Sequence, residues 1–142
     1  MSRGTKVGKY RSKLEQRVAE QLNKASVQYA YEDKEYKIDY SVPATKRSYL
    51  PDFIIRTKHG RDIYVEAKGI WDYDDRYKHY LIRVQRPELD IRFVFQRANQ
   101  RIRKGSKTTY RDICEGRGTR LFKGIEWQYG DGGLVPEGWL NE

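Results

Sequence analysis

The segment PDFIIR, residues 51–56, is followed after a short polar turn by DIYVEAK, residues 62–68, and this pair decides the fold. Each half alternates with the period of two that is typical of a half-buried strand. The intervening residues Lys58 to Gly60 have the length of a hairpin loop, and Gly60 tolerates the positive φ that such a loop uses. The sequence therefore predicts one antiparallel β-hairpin.

The length of the loop determines which residues face each other across the hairpin. If the loop has three residues, Thr57 pairs with Arg61 and the same register places Asp52 opposite Glu66. Opposed residues have Cβ atoms about 5 Å apart, and Lys68 lies roughly 7 Å along the same face as Glu66. Two carboxylates and an ammonium group are thus expected to converge.

These converging charges have an ordinary interpretation and a functional one. A single acid on a strand is usually just solvated. Opposed carboxylates, however, are destabilising unless a cation lies between them, and oxygen ligands suit Mg²⁺ or Mn²⁺. The pattern favours a metal-dependent phosphodiesterase.

The composition limits the class of protein. A chain of 142 residues predicts one domain, and 29 basic against 20 acidic residues give a net charge of +9, which is typical of a protein that binds a polyanion such as nucleic acid. The mean hydropathy is −0.97, so the core is thin and depends on aromatic residues. A thin core favours a dimer, which buries more surface.

The chain has too few cysteine and histidine residues for an internal disulfide or a tetrahedral zinc site. The single Cys114 excludes an internal disulfide and fits a reducing compartment, and with His59 and His79 it cannot form the usual tetrahedral zinc site. No apolar run is long enough to span a bilayer. We expect a soluble protein in the cytoplasm, without a membrane partner.

The N-terminal part predicts a basic arm and then a helix. Residues 1–11 form the arm, which carries four cations: Arg3, Lys6, Lys9 and Arg11. Ser12 and Glu15 fit a capping box at the start of a helix whose apolar stripe continues to Ala25. Because Glu15 borders that stripe, its carboxylate could instead face into a site. The rest, residues 12–142, is expected to be the folded domain.

Four further stretches flank the hairpin in the sequence. Residues 27–40 alternate as a strand exposed on one face, and about residues 40–49 continue through Pro43 as an extended bridge that could cross between protomers. Asp72 is expected to cap a helix that ends before Pro87, with an inner stripe of Tyr77, Tyr80, Leu81 and Val84. Residues 90–95 predict a strand parallel to the second hairpin strand, which makes the sheet mixed.

A basic run precedes a short helix near Tyr110. Such a run is usually solvated surface, but beside a phosphodiester site it would serve as a clamp on the DNA backbone. The candidate DNA-binding residues of this run are Arg101, Arg103, Lys104 and Lys107. The tail from Leu121 onward has no predicted place in the fold.

Several motifs together resemble the phage endonuclease I family of Holliday-junction resolvases, within the restriction-endonuclease-like superfamily. The resemblance rests on SKLE at 12–15, VPA at 42–44, YLPDF at 49–53, VEAKG at 65–69, Trp71 with DDR at 74–76, and PELDIR at 87–92. It covers roughly residues 11–115 and implies an α/β fold with a mixed β-sheet flanked by helices.

The resemblance also implies the roles of individual residues. Glu15, Asp52, Glu66 and Lys68 are the implied catalytic residues, and the three acids with the carbonyl of Ala67 would hold two Mg²⁺ or Mn²⁺ ions. The implied partner is a four-way DNA junction or other branched DNA, cut by paired phosphodiester hydrolysis. The implied assembly is a domain-swapped homodimer in which Glu15 comes from the other chain.

Two alternatives remain at the level of sequence. A non-catalytic basic protein that binds nucleic acid through cations and tyrosines would show salt-dependent binding and no Mg²⁺-dependent product. An endonuclease acting on linear duplexes or mismatches would share the chemistry and differ in the substrate.

Overall fold

The structure is a computed structural model that describes residues 9–42 and 45–142. Its centre is a five-stranded sheet in the order β1-β4-β5-β6-β9, in which the first three strands are antiparallel neighbours and the last two are added in parallel. The strands of this sheet are β1 (Tyr29–Tyr31), β4 (Phe53–Arg56), β5 (Asp62–Lys68), β6 (Ile91–Phe95) and β9 (Gln128–Gly130). The prediction of a mixed sheet flanked by helices is confirmed.

The remaining elements surround this sheet. The helices are α1 (Lys13–Lys24), α2 (Tyr73–Gln85), α3 (Tyr110–Cys114) and α4 (Glu137–Leu140), and short 3₁₀ turns lie at Lys34–Tyr36 and Arg120–Phe122. Two ribbons of two strands complete the fold: β2 (Ile38–Val42) with β3 (Thr45–Tyr49), and β7 (Glu115–Arg117) with β8 (Lys123–Glu126). None of the helices in the described ranges is long and apolar enough to cross a bilayer.

The central hairpin has the predicted register. Phe53 pairs with Val65, the N–H of Thr57 donates to the carbonyl of Arg61 at 2.8 Å, and Gly60 has a φ of 82°. One face of β5 contributes Ile63 and Val65 to an apolar cluster with α1. The opposite face is also covered, so the charges on it are not solvated.

Each face of the sheet has its own core. On one side the buried residues of α1 pack against the hairpin, and Ala19 belongs to this stripe whereas Ala25 is exposed at the helix end. On the other side Trp71 is central to a cluster of aromatic rings that includes Phe93, Phe95 and Trp127. The aromatic residues therefore supply much of the core, as the composition predicted.

Two predictions about secondary structure are wrong. Residues 27–40 form β1, a 3₁₀ turn and the beginning of β2 instead of one strand, because the chain turns at Glu32, whose φ is 45°. Asp72 caps α2 and the helix stops at Gln85 as predicted. Its inner stripe, however, consists of Arg76, His79 and Ile82, while Val84 is 56% exposed.

The described residues of the predicted bridge belong to the β2–β3 ribbon, and a bridge between protomers stays a prediction. Ile38 pairs with Tyr49 and Val42 with Thr45, so the two strands lie antiparallel within one chain. The tip between them, residues 43–44, lies outside the described residues, as do residues 1–8 of the predicted arm. Lys9 is exposed, whereas the ring of Tyr10 packs against Tyr31.

Candidate active site

Three acidic residues stand in a row across adjacent strands. One step beyond the paired residues of β1, β4 and β5, the registers place Glu32 beside Asp52 and Asp52 beside Glu66. The N–H of Glu32 donates to the carbonyl of Asp52 at 3.0 Å, and the N–H of Asp52 donates to Oε2 of Glu66 at 2.8 Å. The predicted juxtaposition of Asp52 and Glu66 is confirmed.

The backbone compensates for bringing these acids together. Asp52 is 0% exposed and Glu66 1% exposed, so each carboxylate needs partners that replace water. The Asp52 carboxylate accepts from the N–H of Ala67 at 3.0 Å, and Glu66 accepts from the N–H of Asp52. Lys68 Nζ lies 3.3 Å from Oε1 of Glu66 and adds a positive charge. The hairpin therefore holds both acids in defined positions.

Glu15 reaches the same site from the first turn of α1. The Ser12 side chain accepts from the N–H of Glu15 at 3.1 Å, which confirms the N-cap. The Glu15 carboxylate accepts from the N–H of Arg11 at 3.3 Å and from the hydroxyl of Tyr31, and no bond to the Ser12 N–H is formed. The reciprocal half of the predicted capping box is therefore wrong. Burial and the bond to Glu15 raise the pKa of Tyr31, which stays a proton donor.

The acids have a geometry that suits a divalent cation. One carboxylate oxygen from each of Glu15, Glu32 and Asp52 lies within 4.8 Å of the other two. Oxygens that share a Mg²⁺ ion at about 2.1 Å lie about 3–4 Å apart, so small side-chain adjustments bring this set into range. The donors are all hard oxygens, which Mg²⁺ and Mn²⁺ prefer. The residues present therefore fit such an ion.

A buried ionic network lies on the other side of Glu66. Lys68 Nζ is 2.5 Å from Oδ2 of Asp75 in the first turn of α2, so it bridges two carboxylates. His79 Nε2 lies 3.7 Å from Asp75 and 3.8 Å from Glu66, and neither ring nitrogen of His79 has a hydrogen-bond partner. On α2 the network includes Asp75 and His79, whereas the buried Arg76 donates to the carbonyl of Trp71 at 2.6 Å.

The network determines which of its members are charged. Burial opposes the ammonium form of Lys68, but the carboxylates of Glu66, Asp75 and Asp52 outweigh it and raise the pKa above its usual value. Burial alone would raise the pKa of Asp75, whereas Lys68 and its neighbours lower it overall. Burial, followed by Lys68, lowers the pKa of His79 well below its ordinary value. At neutral pH the centre holds charged Lys68 and Asp75 beside a neutral imidazole.

The predicted DNA-binding residues have different surroundings. Arg101, Arg103 and Lys104 line one groove next to the site, and Lys107 is exposed on the same loop. Arg11 instead pairs with Glu32 at 2.9 Å. Arg3 and Lys6 lie outside the described residues. A contact of each with DNA stays a prediction.

Two site residues were missed by sequence reasoning. Glu32 enters because β1 pairs with β4, and no local pattern in the sequence indicated that pairing between segments distant in the chain. Asp75 appears in the sequence analysis only within the DDR motif at 74–76, although it is the nearest carboxylate to Lys68. No local pattern showed that α2 lies over Lys68.

The mixed sheet, the row of acids and the adjacent ammonium group form a centre suited to hydrolysis of phosphodiesters, which is the chemistry of nucleases. The family model described as phage endonuclease I matches residues 1–142, and the chain belongs to that family. It is therefore a phage-type endonuclease.

Individual relatives agree with this assignment. The endonuclease I of Escherichia phage T7 is 42% identical over 137 residues, which cover 96% of this chain and 82% of the relative. The endodeoxyribonuclease 1 of Enterobacteria phage T3 is 43% identical over 109 residues, which cover 77% of this chain and 68% of the relative. The similarity to the T7 protein spans the acidic site as well as the tail.

Proposed function

We propose that the protein is a metal-dependent DNA endonuclease that resolves four-way junctions and other branched DNA by paired phosphodiester hydrolysis. The observation that carries the proposal is the gathering of the buried acids Glu15, Asp52 and Glu66 with the half-buried Glu32, beside Lys68. Burying several carboxylates together without a functional reason is unfavourable. Both named relatives are endonucleases, and the name of the T3 protein specifies DNA.

The residues would hold the metal in two overlapping sets. Asp52 is the central ligand, with Glu15 and Glu32 on one side. Glu66 and the carbonyl of Ala67 are the ligands expected for a second ion. When bound, Mg²⁺ or Mn²⁺ supplies activation of water and stabilisation of the leaving oxygen in an in-line displacement.

Lys68 has the role of a fixed cation in this proposal. Despite burial, the neighbouring carboxylates of Glu66, Asp75 and Asp52 raise its pKa in the metal-free protein and favour the ammonium form. A positive charge held by Glu66 and Asp75 can offset the negative charge that builds on the phosphate. Asp75 is a positioning residue, because its carboxylate holds Lys68 Nζ at 2.5 Å.

Junction selectivity is assigned to two sites held at a fixed separation in a homodimer. Every pairing of β2 with β3 can also form between two identical chains if the tip at residues 43–44 straightens, which is the geometry of domain swapping. Each site would then combine Glu15 of one protomer with Asp52 of its partner. The β2–β3 segment would be the bridge that sets the separation of the cuts.

Complementation between inactive chains tests the exchange. Mixed dimers of Glu15→Gln chains with Asp52→Asn chains are formed by co-expression and purified with two different tags. In a swapped dimer one site carries both substitutions and the other carries neither, so nicking of one strand returns. Without exchange each site keeps one substitution, and the mixed dimer stays inactive.

The function itself is tested on matched substrates. A labelled four-way junction and a linear duplex with the sequence of two of its arms are incubated with the protein in Mg²⁺ or in EDTA. We expect symmetrical cuts in the junction that require Mg²⁺ and little cutting of the duplex. Equal cutting of both would indicate an endonuclease for linear duplexes, and binding without any product would indicate a non-catalytic DNA-binding protein.

A further inference from the structure

Ile70 is the most exposed large hydrophobic residue in the described part of the chain. Its exposed fraction is 78%, and it follows β5 two residues after Lys68. Single exposed hydrophobic residues are common on protein surfaces, so exposure alone carries no function. The residues around Ile70, however, indicate a role for this side chain in binding a ligand.

The residues on both sides of Ile70 are held in place by hydrogen bonds. The next residue, Trp71, is 0% exposed within the aromatic core, and its N–H donates to the hydroxyl of Tyr110 at 3.1 Å. On the other side, the carbonyl of Lys68 accepts from the N–H of Gln96 at 3.0 Å. The isoleucine is therefore held out in solvent by fixed neighbours on both sides.

Ile70 stands at the edge of a basic groove. The groove has a volume of about 660 Å³, and its lining contains the four cations Arg97, Arg101, Arg103 and Lys104 and no acidic residue. In the ranges that the structure describes, none of these four cations is paired with a carboxylate. Such a groove is complementary to a polyanion.

The basic loop is organised before any ligand arrives. Arg101 and Thr109 form an antiparallel bridge, and the N–H of Ile102 donates to the carbonyl of Thr108 at 2.9 Å. Gly105 at the tip has a φ of 85°. The loop thus presents its cations on a closed hairpin-like frame, which lowers the entropy lost when phosphates bind.

The groove is linked to the active site along the chain, because its lining residue Ile70 follows Lys68 by two residues. Two residues of extended chain span at most about 7 Å, so Ile70 lies near the ammonium-bearing end of β5. A DNA strand whose phosphates follow the groove would pass over Ile70 as it approaches the acids. Phosphates can be matched by the cations, but an isoleucine side chain gains free energy only by contact with an apolar surface.

We propose that Ile70 is an apolar wedge that contacts the exposed face of a base at the branch point, while the groove holds the phosphates beside it. Bases in an intact duplex are covered by their stacked neighbours, whereas a branch point exposes base faces. Isoleucine is among the side chains that proteins insert at opened base steps. The inference rests on the proposed function and assigns part of the selectivity for branched DNA to one side chain.

The test compares binding of two substrates by Ile70→Ala. Dissociation constants for the four-way junction and for its matched linear duplex are measured in an Asp52→Asn background, which prevents cleavage. We expect about tenfold weaker junction binding, from the loss of one buried apolar side chain, with less than about twofold change for the duplex. Ile70→Leu should keep the preference for the junction.

Val84→Ala is the matched control, because Val84 is another exposed apolar residue and lies near the end of α2. It should leave both affinities unchanged. An equal loss on both substrates, or no loss on either, would overturn the wedge. If the protein with native Ile70 shows no preference for the junction, the proposed function itself fails, and this outcome is distinct from a preference that Ile70→Ala leaves intact.

Discussion

The active site and the neighbouring groove hold their charges in opposite ways. At the site Asp52, Glu66, Glu15 and Lys68 are 0%, 1%, 5% and 7% exposed, and each has fixed partners. In the groove the arginines and the lysine are exposed and have no carboxylate partner in the described ranges. The buried charges of the active site are therefore suited to the chemical step, and the exposed charges of the groove are suited to affinity for DNA.

Buried and exposed charges respond differently to substitution. In a low-dielectric centre each interaction is strong and removal of one partner leaves the other unsatisfied. Exposed cations add small, salt-dependent increments to the binding of phosphates. Substitutions at the site should therefore change rates by orders of magnitude, whereas substitutions in the groove should change affinities by small factors.

Asp52→Asn should have the largest effect. The substitution keeps the shape of the side chain but removes the carboxylate common to both proposed ligand sets, so we expect junction cleavage to fall at least about a thousandfold. Junction binding should persist, because the groove is unchanged. Single-turnover cleavage and a gel-shift titration measure the two quantities.

The control for Asp52→Asn is Asp74→Asn, which removes an exposed acid from the first turn of α2. It should retain full activity. If a folded Asp52→Asn protein has lost junction binding, then Asp52 positions the DNA. Affinity for DNA would then depend on the active site as well as on the groove.

Asp75→Asn should have the next largest effect. It removes the nearest anion of Lys68. Residues that hold a functional side chain in position typically contribute about 10–100-fold to activity. We expect the loss in kcat, with little change in KM, because Lys68 is misplaced while the groove is intact. A rise in KM at constant kcat would contradict the positioning role. Asp74→Asn again serves as the control.

The groove predicts a smaller effect of a different kind. Arg103→Ala combined with Lys104→Ala should weaken binding of junction and duplex alike and reduce the slope of log affinity against log salt by about 2. The cleavage rate at saturating protein should not change. Lys24→Ala, at the far end of α1 from Glu15, should leave the salt slope as it is. A junction-specific loss would show that the cations read branch geometry.

A buried charge away from the site should affect stability alone. Arg92, 2% exposed, pairs with Asp90 at 2.7 Å and with Glu142 at 2.6 Å. Because Asp90 remains, Glu142→Gln should lower the free energy of unfolding by only about 1 kcal/mol and leave cleavage unchanged. Chemical denaturation at pH 7 and a cleavage assay measure the two effects.

The effect of Glu142 should depend on pH. The bond to Arg92 is the main cause that lowers the pKa of Glu142. Its stabilisation is therefore complete above the unfolded pKa of about 4.3 and is lost as the pH falls through the lower folded value. The difference in Tm between the native chain and Glu142→Gln should shrink in that acidic range. If the difference in Tm stays constant as the pH falls, the effect of the substitution on stability comes from packing and not from charge.

Contacts between chain neighbours could be predicted from sequence. The loop from Lys58 to Gly60 decides the hairpin register, and that register places Asp52 opposite Glu66. Asp72 and Pro87 likewise mark the ends of α2 through local backbone chemistry. These predictions succeeded because each depends on residues close together in the chain.

Contacts between distant elements could not be predicted in the same way. The buried face of α2 carries the polar residues Arg76 and His79 as well as Ile82, so a hydrophobic pattern selected the wrong residues, among them Val84. β9 joins the sheet beside β6, and no local signal in the tail indicates that pairing. Glu32 joins the site only through the pairing of β1 with β4. The family resemblance identified Glu15 as a site residue, whereas its spacing in the sequence also fitted a role in capping the helix.

The most direct test of the account is calorimetric titration of Mn²⁺ into the DNA-free protein. We propose that Asp52, with Glu15 and Glu32, forms a site for a divalent ion. Native protein and Asp74→Asn should bind Mn²⁺ equally, and Asp52→Asn should bind it at least about tenfold more weakly. Equal binding by a folded Asp52→Asn protein would contradict the account.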